Sequence, residues 1–485
     1  MQTKSTSWTE VRAAFKRIWG YENFRSPQGE IIRSLLEKQD ALIVMPTGGG
    51  KSICFQLPAL LQTGLTLVIS PLVALMENQV QELQKLQLPA ALLHSELPAW
   101  EKKKTLQALE RQELRLLYLS PETLFSVPVW ERLCHPRLKI NGLILDEAHC
   151  LVQWGETFRP AYMRLGAVRP TLLKCKPPGT KISIAAFTAT AEPAVQKTIQ
   201  KILQLQQPQL FLINPFRKNL SLKVQTVWTP KGRRQQLLKF IEAHSNQTGL
   251  VYVRSRKDAE ELAEWLQSFN YQTTAYHAGL SAEERREIEV SWLSGKSQFI
   301  VCTCAFGMGI NKPDVRWVVH FQSPLLLSEY VQEVGRGGRD GKAASALMLV
   351  CEPTGWLYPD DQQQRQFFND KLHSHYQNAQ QLVKRLPVQG EIATVSRQFR
   401  DGAVALSLLY SNGQLEWIDP FHYRQCLSEE SAKLGLNIVQ KQVPSQMKQY
   451  SITRKCRWQF LLEAFGFRSI GNGFKCNNCD NCLKP

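Results

Sequence analysis

The chain has 485 residues, 43% hydrophobic and 21% charged, which is ordinary for a soluble globular protein but too long for one compact core, so three or four units are expected. Its net charge of +17 favours a polyanionic partner through phosphate neutralisation and counterion release. No uninterrupted apolar run reaches membrane-spanning length, and the N-terminus MQTKSTSWTEVRAAFKRIWG lacks the apolar core of a signal peptide, so the chain reads as intracellular: cytoplasmic in a bacterium, nuclear or organellar in a eukaryote.

Short β-branched or leucine-rich runs recur at Ala41–Met45, Thr66–Ser70, Arg115–Leu119, Ile140–Leu145 and Ile182–Phe187, separated by longer helix-like stretches. This alternation predicts parallel strands joined by crossover helices. A second series at Gly249–Val253, Gln272–Tyr276, Gln298–Cys302 and Arg316–Phe321 predicts a second α/β lobe, with a hinge near Asn214–Arg217 and a cleft where the lobes meet. After about Val350 strand signals thin, Asp361–Gln366 is polar and glutamine-rich, and an α-rich C-terminal region begins.

The chemistry sits at predicted strand ends. Met45-Pro46-Thr47-Gly48-Gly49-Gly50-Lys51-Ser52 is a phosphate-cradling loop: its glycines let backbone N–H groups face phosphate oxygens, and the following helix adds its positive end. Met45 stands where the strict pattern has its first glycine. Lys51 is placed to meet the β- and γ-phosphates of ATP and Ser52 the Mg²⁺. Downstream, Leu145-Asp146-Glu147-Ala148-His149 closes an apolar run. Asp146 can reach the same Mg²⁺ and Glu147 can orient or deprotonate the attacking water, the minimum chemistry for phosphoryl transfer to water. His149 reads as a coupling residue rather than a base. An isolated acidic pair is usually a solvated strand-to-helix turn; the phosphate loop upstream decides against that here.

Taken in order up to residue 341, these motifs resemble those of the RecQ family of superfamily 2 DNA helicases, over nearly all of residues 8–350. The resemblance implies two tandem RecA-like parallel-sheet lobes, and it assigns Tyr21, Arg25 and Gln28 to adenine, Gln28 at the base edge and the other two flanking the ring. Val68–Met76, with Ser70 and Pro71, and Tyr118–Glu122 resemble strand-end loops that touch the nucleic-acid backbone. Phe187-Thr188-Ala189-Thr190-Ala191 resembles the loop that couples hydrolysis to lobe movement. Gln153–Pro160 resembles the family's aromatic-rich loop, in which Trp154 and Phe158 stack on unpaired bases, Arg159 adds a cation, and occupancy is reported to Glu147. Here Glu156-Thr157 replaces the family's usual His-Asp. In the second lobe, Tyr276–Leu280, with His277, and Ala305–Asp314 resemble segments that grip the strand and close onto nucleotide. Gln332–Asp340 resembles the arginine-finger motif, with Gln332 in it, Arg339 as the finger and Arg336 in support.

Twelve cysteines in an intracellular chain read as thiols or metal ligands rather than disulfides. Cys54, Cys134, Cys150, Cys175, Cys302, Cys304, Cys351 and Cys426 read as packed thiols. Cys456 with Cys476-Asn477-Asn478-Cys479-Asp480-Asn481-Cys482 has the spacing of a closed four-thiolate Zn²⁺ site, with a redox CxxC as the alternative, and it resembles the family's zinc-binding helical platform. Between lobes and cysteines, where the family has a short linker, Leu386–Arg424 reads as helix (Ile392–Phe399), turn, helix (Gly402–Tyr410) and a strand pair turned at Pro420, the pattern of a winged helix. The family's winged helix usually follows the zinc platform; this chain runs three residues past Cys482, so the insert reads as a substitute.

The expected organisation is thus 1–210 and 211–350 for the two lobes, 351–440 for the insert and 441–485 for the zinc platform. The expected activity is ATP-dependent 3′ to 5′ translocation on single-stranded DNA with unwinding of duplex DNA, using ATP, Mg²⁺ and Zn²⁺ and no membrane. A translocase or clamp that does not unwind, and an RNA helicase, are the alternatives.

Overall fold

The computed structural model describes residues 7–307, 310, 312–352, 354–426, 446–468 and 473–483. These divide into two compact units, Met1–Ile213 with Leu372–Asn437, and Asn214–Lys371 with Ile438–Pro485. Among the described residues no helix is long and apolar enough to cross a membrane.

The first unit is built on a seven-stranded sheet, β3-β4-β2-β5-β6-β1-β7. Its strands are β1 (Ala41–Val44), β2 (Leu65–Ile69), β3 (Ala90–Leu93), β4 (Leu116–Leu119), β5 (Ile140–Leu145), β6 (Ser183–Thr188) and β7 (Gln209–Leu212), and every neighbouring pair is parallel. Helices cover both faces, so β1, β2, β4, β5 and β6 are buried throughout and read as continuous apolar runs rather than alternating ones. In a parallel sheet all carboxyl ends lie along one edge, where ligands bind. Strand order therefore sets the motif loops side by side: 120–122, 70–72, 146–149, 188–191 and 45–52.

The second unit repeats the plan with β8 (Leu220–Val227), β9 (Gly249–Tyr252), β10 (Thr273–Tyr276), β11 (Phe299–Cys302), β12 (Trp317–His320) and β13 (Ala344–Cys351) in the order β10-β11-β9-β12-β13-β8, again all parallel. The cysteine segment packs on β8. Trp458 Nε1 donates to Leu220 O at 3.1 Å, Ser221 Oγ to Asn478 O at 2.6 Å and the Val224 N–H to Asp480 Oδ2 at 3.1 Å.

The insert forms a winged-helix arrangement. Helix Asp360–Val383 leads into β14 (Gln389–Glu391), helices Ile392–Gln398 and Gly402–Ser411, and the hairpin β15 (Leu415–Trp417) and β16 (His422–Gln425), in an antiparallel sheet β14-β16-β15. Gly402 permits the close crossing of the two short helices, since a Cβ there would lie 2.7 Å from Val395 Cγ1. The hairpin turn is held by Asp419, whose Oδ1 accepts the Phe421 and His422 N–H groups at 2.7 and 2.9 Å; Pro420 is buried beside it. The described residues of Leu372–Asn437 cluster with the first lobe, and Ala167 belongs to their core.

Candidate functional site

The phosphate loop leaves β1 and enters helix Lys51–Leu61 through Gly48 and Gly50, both left-handed at φ 83° and 79°. Met45 does not weaken it: the side chain is buried and fills the floor, and a Cβ on Gly49 would come 2.7 Å from Met45 Cγ. Gln28 ties the N-terminal segment to the loop, accepting the Arg25 N–H at 3.0 Å and donating Nε2 to Gly49 O at 3.0 Å. Gln28 is buried while Tyr21 and Arg25 are exposed, an arrangement suited to a base-edge contact flanked by a ring and a cation.

The carboxylates lie at the end of β5. Lys51 Nζ is 3.2 Å from Glu147 Oε1, and Asp146 Oδ2 accepts from Gln79 Nε2 at 3.1 Å. Burial first, then the Glu147 charge, push the Asp146 carboxyl up to about 6, with Lys51 opposing. Glu147 has φ 48°, a left-handed conformation that a glutamate enters only at a cost in strain. His149 Nδ1 lies 2.9 Å from Thr188 Oγ1, and that hydroxyl donates onward to Thr190 O at 3.0 Å. Nδ1 also lies 3.3 Å from Glu147 Oε2, so a proton on Nδ1 faces two oxygens and that tautomer is favoured. Burial lowers the His149 pKa and favours the neutral ring.

Two members of this site, Gln56 and Gln79, carry no motif signature. Gln56 Nε2 bonds Tyr118 OH at 2.9 Å and Gln79 Oε1 at 3.5 Å, completing a buried chain from Tyr118 to Asp146. The available signal was an amide on an otherwise apolar helix face, which must find a partner when buried.

In the aromatic-rich loop Phe158 is 72% exposed and meets Trp154 edge-to-face at 5.9 Å. Arg159 is committed to protein: it donates to Pro71 O and pairs with Glu122, with Nε at 3.0 Å. The loops after β2, β4 and β5 are thereby laced together. Ser70 and His277 are buried, and His277 Nε2 lies 2.9 Å from Glu260. Both side chains are turned into the protein in this conformation.

In the second unit Gln332 is half-buried on helix Leu327–Val334. Arg336 donates to Gly307 O and Arg339 Nη1 to Ile310 O at 3.2 Å. Gly307 is left-handed at φ 113°, and a Cβ there would run into the Arg336 guanidinium. The turn between the two arginines is held by Arg217 and Asn219, which both donate to Gly338 O, Asn219 at 2.8 Å, while Arg217 also reaches Gly335 O at 3.1 Å. Within Ala305–Asp314, Met308, Gly309 and Asn311 lie outside the described residues.

The four cysteine sulfurs lie within 4.8 Å of one another, with Cys456–Cys479 at 4.0 Å and Cys476–Cys482 at 3.9 Å. Zn–S bonds of about 2.3 Å in a tetrahedron put sulfurs about 3.8 Å apart, so the cluster fits Zn²⁺. Backbone N–H groups of Cys476, Arg457 and Asn478 point at Cys456, Cys479 and Cys476 sulfurs at 3.3 to 3.5 Å, the surroundings of thiolates. The Cys456 neighbour and burial push the Cys479 thiol up to about 12, so it ionises for a metal and not alone. Asp480, in the gap of the CxxC turn, pairs with Arg457 at 2.9 Å and is structural. Of the remaining thiols, Cys304 and Cys426 are exposed, contrary to the packed reading; Cys134 and Cys175 are half-buried and the other four are buried.

Paired parallel sheets, one ending in a phosphate loop and a DEAH turn, define a two-lobed DEAD/DEAH-box helicase. A DEAD/DEAH box helicase model matches residues 25–198 and a helicase conserved C-terminal domain model residues 232–341. The structure of DEAD-box helicase Mss116 bound to ssRNA and UDP-BeF is similar over 72% of this chain and 74% of that one, at TM-score 0.59 and 19% identity. Mycobacterium smegmatis helicase Lhr bound to ssDNA and AMP-PNP is similar over 71% and 48%, at TM-score 0.55 and 21% identity. At such identities the likeness shows the fold.

A RecQ zinc-binding model matches residues 422–483. ATP-dependent DNA helicase RecQ of Synechocystis sp. is 51% identical over 473 residues, 98% of each chain. That of Pasteurella multocida is 38% identical over 70% of this chain and 52% of its own, and mouse ATP-dependent DNA helicase Q5 is 40% identical over 68% and 35%. The chain belongs to the RecQ family.

Proposed function

We propose that this protein is an ATP-dependent DNA helicase that translocates 3′ to 5′ on single-stranded DNA and separates duplexes, in DNA repair or recombination, inside the cell and at the nucleoid in a bacterium. The observation that carries the reading is the Lys51–Glu147 pair at 3.2 Å, with Asp146 beside it, at the ends of strands flanking β6.

Thr47 and the glycines 48–50 cradle phosphate with backbone N–H groups, Met45 and Pro46 lead the loop out of β1, Lys51 pairs with the phosphate oxygens, and Tyr21, Arg25 and Gln28 hold the base. Ser52 and Asp146 are the oxygen donors for Mg²⁺, which supplies neutralisation of phosphate charge when bound. Glu147 takes the proton of the attacking water. Gln332, Arg336 and Arg339 belong to the arginine motif, with Arg339 stabilising charge on the γ-phosphate. Phe158 and Trp154 offer faces to unpaired bases, and Arg159, braced on Pro71, fixes their loop.

The test is strand separation on a 3′-tailed DNA duplex beside 5′-tailed and RNA controls. Unwinding of the 3′-tailed DNA alone is expected; RNA preference, or hydrolysis without unwinding, overturns the reading. A second measurement bears on the arginine motif. Gly307→Ala displaces Arg336 and is expected to lower kcat for ATP roughly tenfold or more, as misplacement of a charge-stabilising group does. An unchanged kcat would show that Arg336 is not needed where it lies.

A further inference from the structure

Winged-helix modules usually read DNA with the second helix of the helix-turn-helix and with the wing. Here the second helix and the tip of the wing pack on the module's own first lobe. Helix Gly402–Ser411 buries Ala405, Leu406, Leu408 and Leu409 completely, in a core that includes Ala167 of the 3₁₀ segment Pro160–Ala167, and Ser407 Oγ reaches Pro160 O at 3.4 Å. At the wing tip Arg164 Nη1 donates to Pro420 O at 3.0 Å, and the Phe421 ring meets Phe125 and Trp130 edge-to-face at 6.1 and 5.3 Å. A groove-reading helix needs a polar, open face, and this one has none to offer.

What the module touches instead is the aromatic-rich loop. Tyr376 OH donates to Glu156 Oε2 at 2.9 Å, and both side chains are buried. Glu156 lies between Trp154 and Phe158 in a tight turn closed by Phe158 and Arg159 N–H bonds to Trp154 O at 2.9 and 2.7 Å, so fixing Glu156 fixes the stacking pair. Trp154 in turn ends the helix that starts at His149, two residues from Glu147. A buried carboxylate is costly without hydrogen bonds, and the insert's Tyr376 hydroxyl supplies one to Glu156 from outside the loop.

We propose that the inserted winged helix is an internal brace for the aromatic-rich loop, with Tyr376 and Glu156 as positioning residues that set the DNA occupancy at which hydrolysis is switched on. The inference rests on the helicase reading, in particular on stimulation of hydrolysis by single-stranded DNA.

The experiment compares the full chain with its Tyr376→Phe, Glu156→Ala and Glu156→Gln variants. It records ATP hydrolysis without DNA, hydrolysis as oligothymidylate is titrated in, and Tm. Tyr376→Phe is expected to leave DNA-free hydrolysis in place and raise the half-saturating DNA concentration roughly tenfold, the loss of one hydrogen bond to a charged group. Glu156→Ala should do the same, a chain carrying both Tyr376→Phe and Glu156→Ala should be no worse than either single variant, and Glu156→Gln, which keeps an acceptor, should stay within about twofold of wild type. A purely structural contact lowers Tm and leaves half-saturation unchanged; that result overturns the brace. A wild-type chain that DNA does not stimulate sinks the helicase reading and the brace with it, whereas a stimulated wild type matched by Tyr376→Phe sinks the brace alone.

Discussion

Glu147→Gln is expected to lower the rate of ATP hydrolysis by about 10²–10⁴-fold, the usual worth of a positioned general base, while nucleotide binding is retained or tightened. The sign of the binding effect follows from the Lys51–Glu147 pair. Without nucleotide, the Lys51 ammonium is held 3.2 Å from Glu147 Oε1, and that pair must open for Lys51 to meet phosphate. A neutral amide competes less for Lys51. It also relieves Asp146 of the neighbouring charge that, after burial, does most to raise its pKa, so the carboxylate form needed for a cation is favoured. Asp146→Asn, in contrast, removes that anionic oxygen and should weaken nucleotide affinity in the presence of Mg²⁺. Single-turnover hydrolysis together with fluorescent-nucleotide titration separates the two. Hydrolysis by Glu147→Gln within tenfold of wild type would remove Glu147 from the proposed role.

Much of this site was legible because phosphoryl chemistry demands particular residues at strand ends, where a few contiguous positions hold the needed groups. The Gln56–Gln79 link between Tyr118 and Asp146 was not, since these residues come from elements far apart in the chain and only the fold brings them together. The burial of the Ser70 and His277 side chains was hidden for a related reason: a motif locates a loop and does not say which side chains face out of it. Among strands, those buried on both faces announce themselves as apolar runs. β3, reading Ala-Ala-Leu-Leu, and β13, reading Ala-Ser-Ala-Leu-Met-Leu-Val-Cys, were passed over because their residues favour helix, and pairing overrode propensity. β7 and β8 sit at sheet edges, where exposure dilutes the apolar signal. The helix-turn-helix of the insert was visible in its spacing, but its docking against the first lobe was not, because the partner residues Glu156, Arg164 and Ala167 precede it by more than two hundred positions.

Replacing Cys479 by serine should do more than empty a metal site. Cys479 is fully buried, 4.0 Å from Cys456 and receiving the Arg457 N–H at 3.4 Å, and a serine hydroxyl is a poor Zn²⁺ ligand. Metal affinity is folding free energy in such modules, so zinc content should fall well below one per chain and Tm by about 10 °C, equivalent to a few kcal/mol in a domain of this size. The loss should also reach hydrolysis. Asn478 Nδ2 donates to Lys218 O at 3.3 Å, and Asn478, Asp480 and Trp458 take hydrogen bonds from or give them to Ser221, Val224 and Leu220 at the start of β8. Immediately before that strand, Arg217 and Asn219 hold the Gly335–Gly338 turn that separates Arg336 from Arg339. Unpacking the cysteine module frees the first turn of β8 and, through it, the arginine motif, so DNA-stimulated kcat is expected to fall several-fold even where the chain stays folded. Cys426→Ser, at an exposed thiol outside the cluster, is the control and should change neither zinc content nor kcat. Metal analysis, thermal melting and steady-state hydrolysis on the same preparations read all three effects; full zinc in the Cys479→Ser protein would refute the ligand assignment, and lost zinc with wild-type kcat would refute the path through β8.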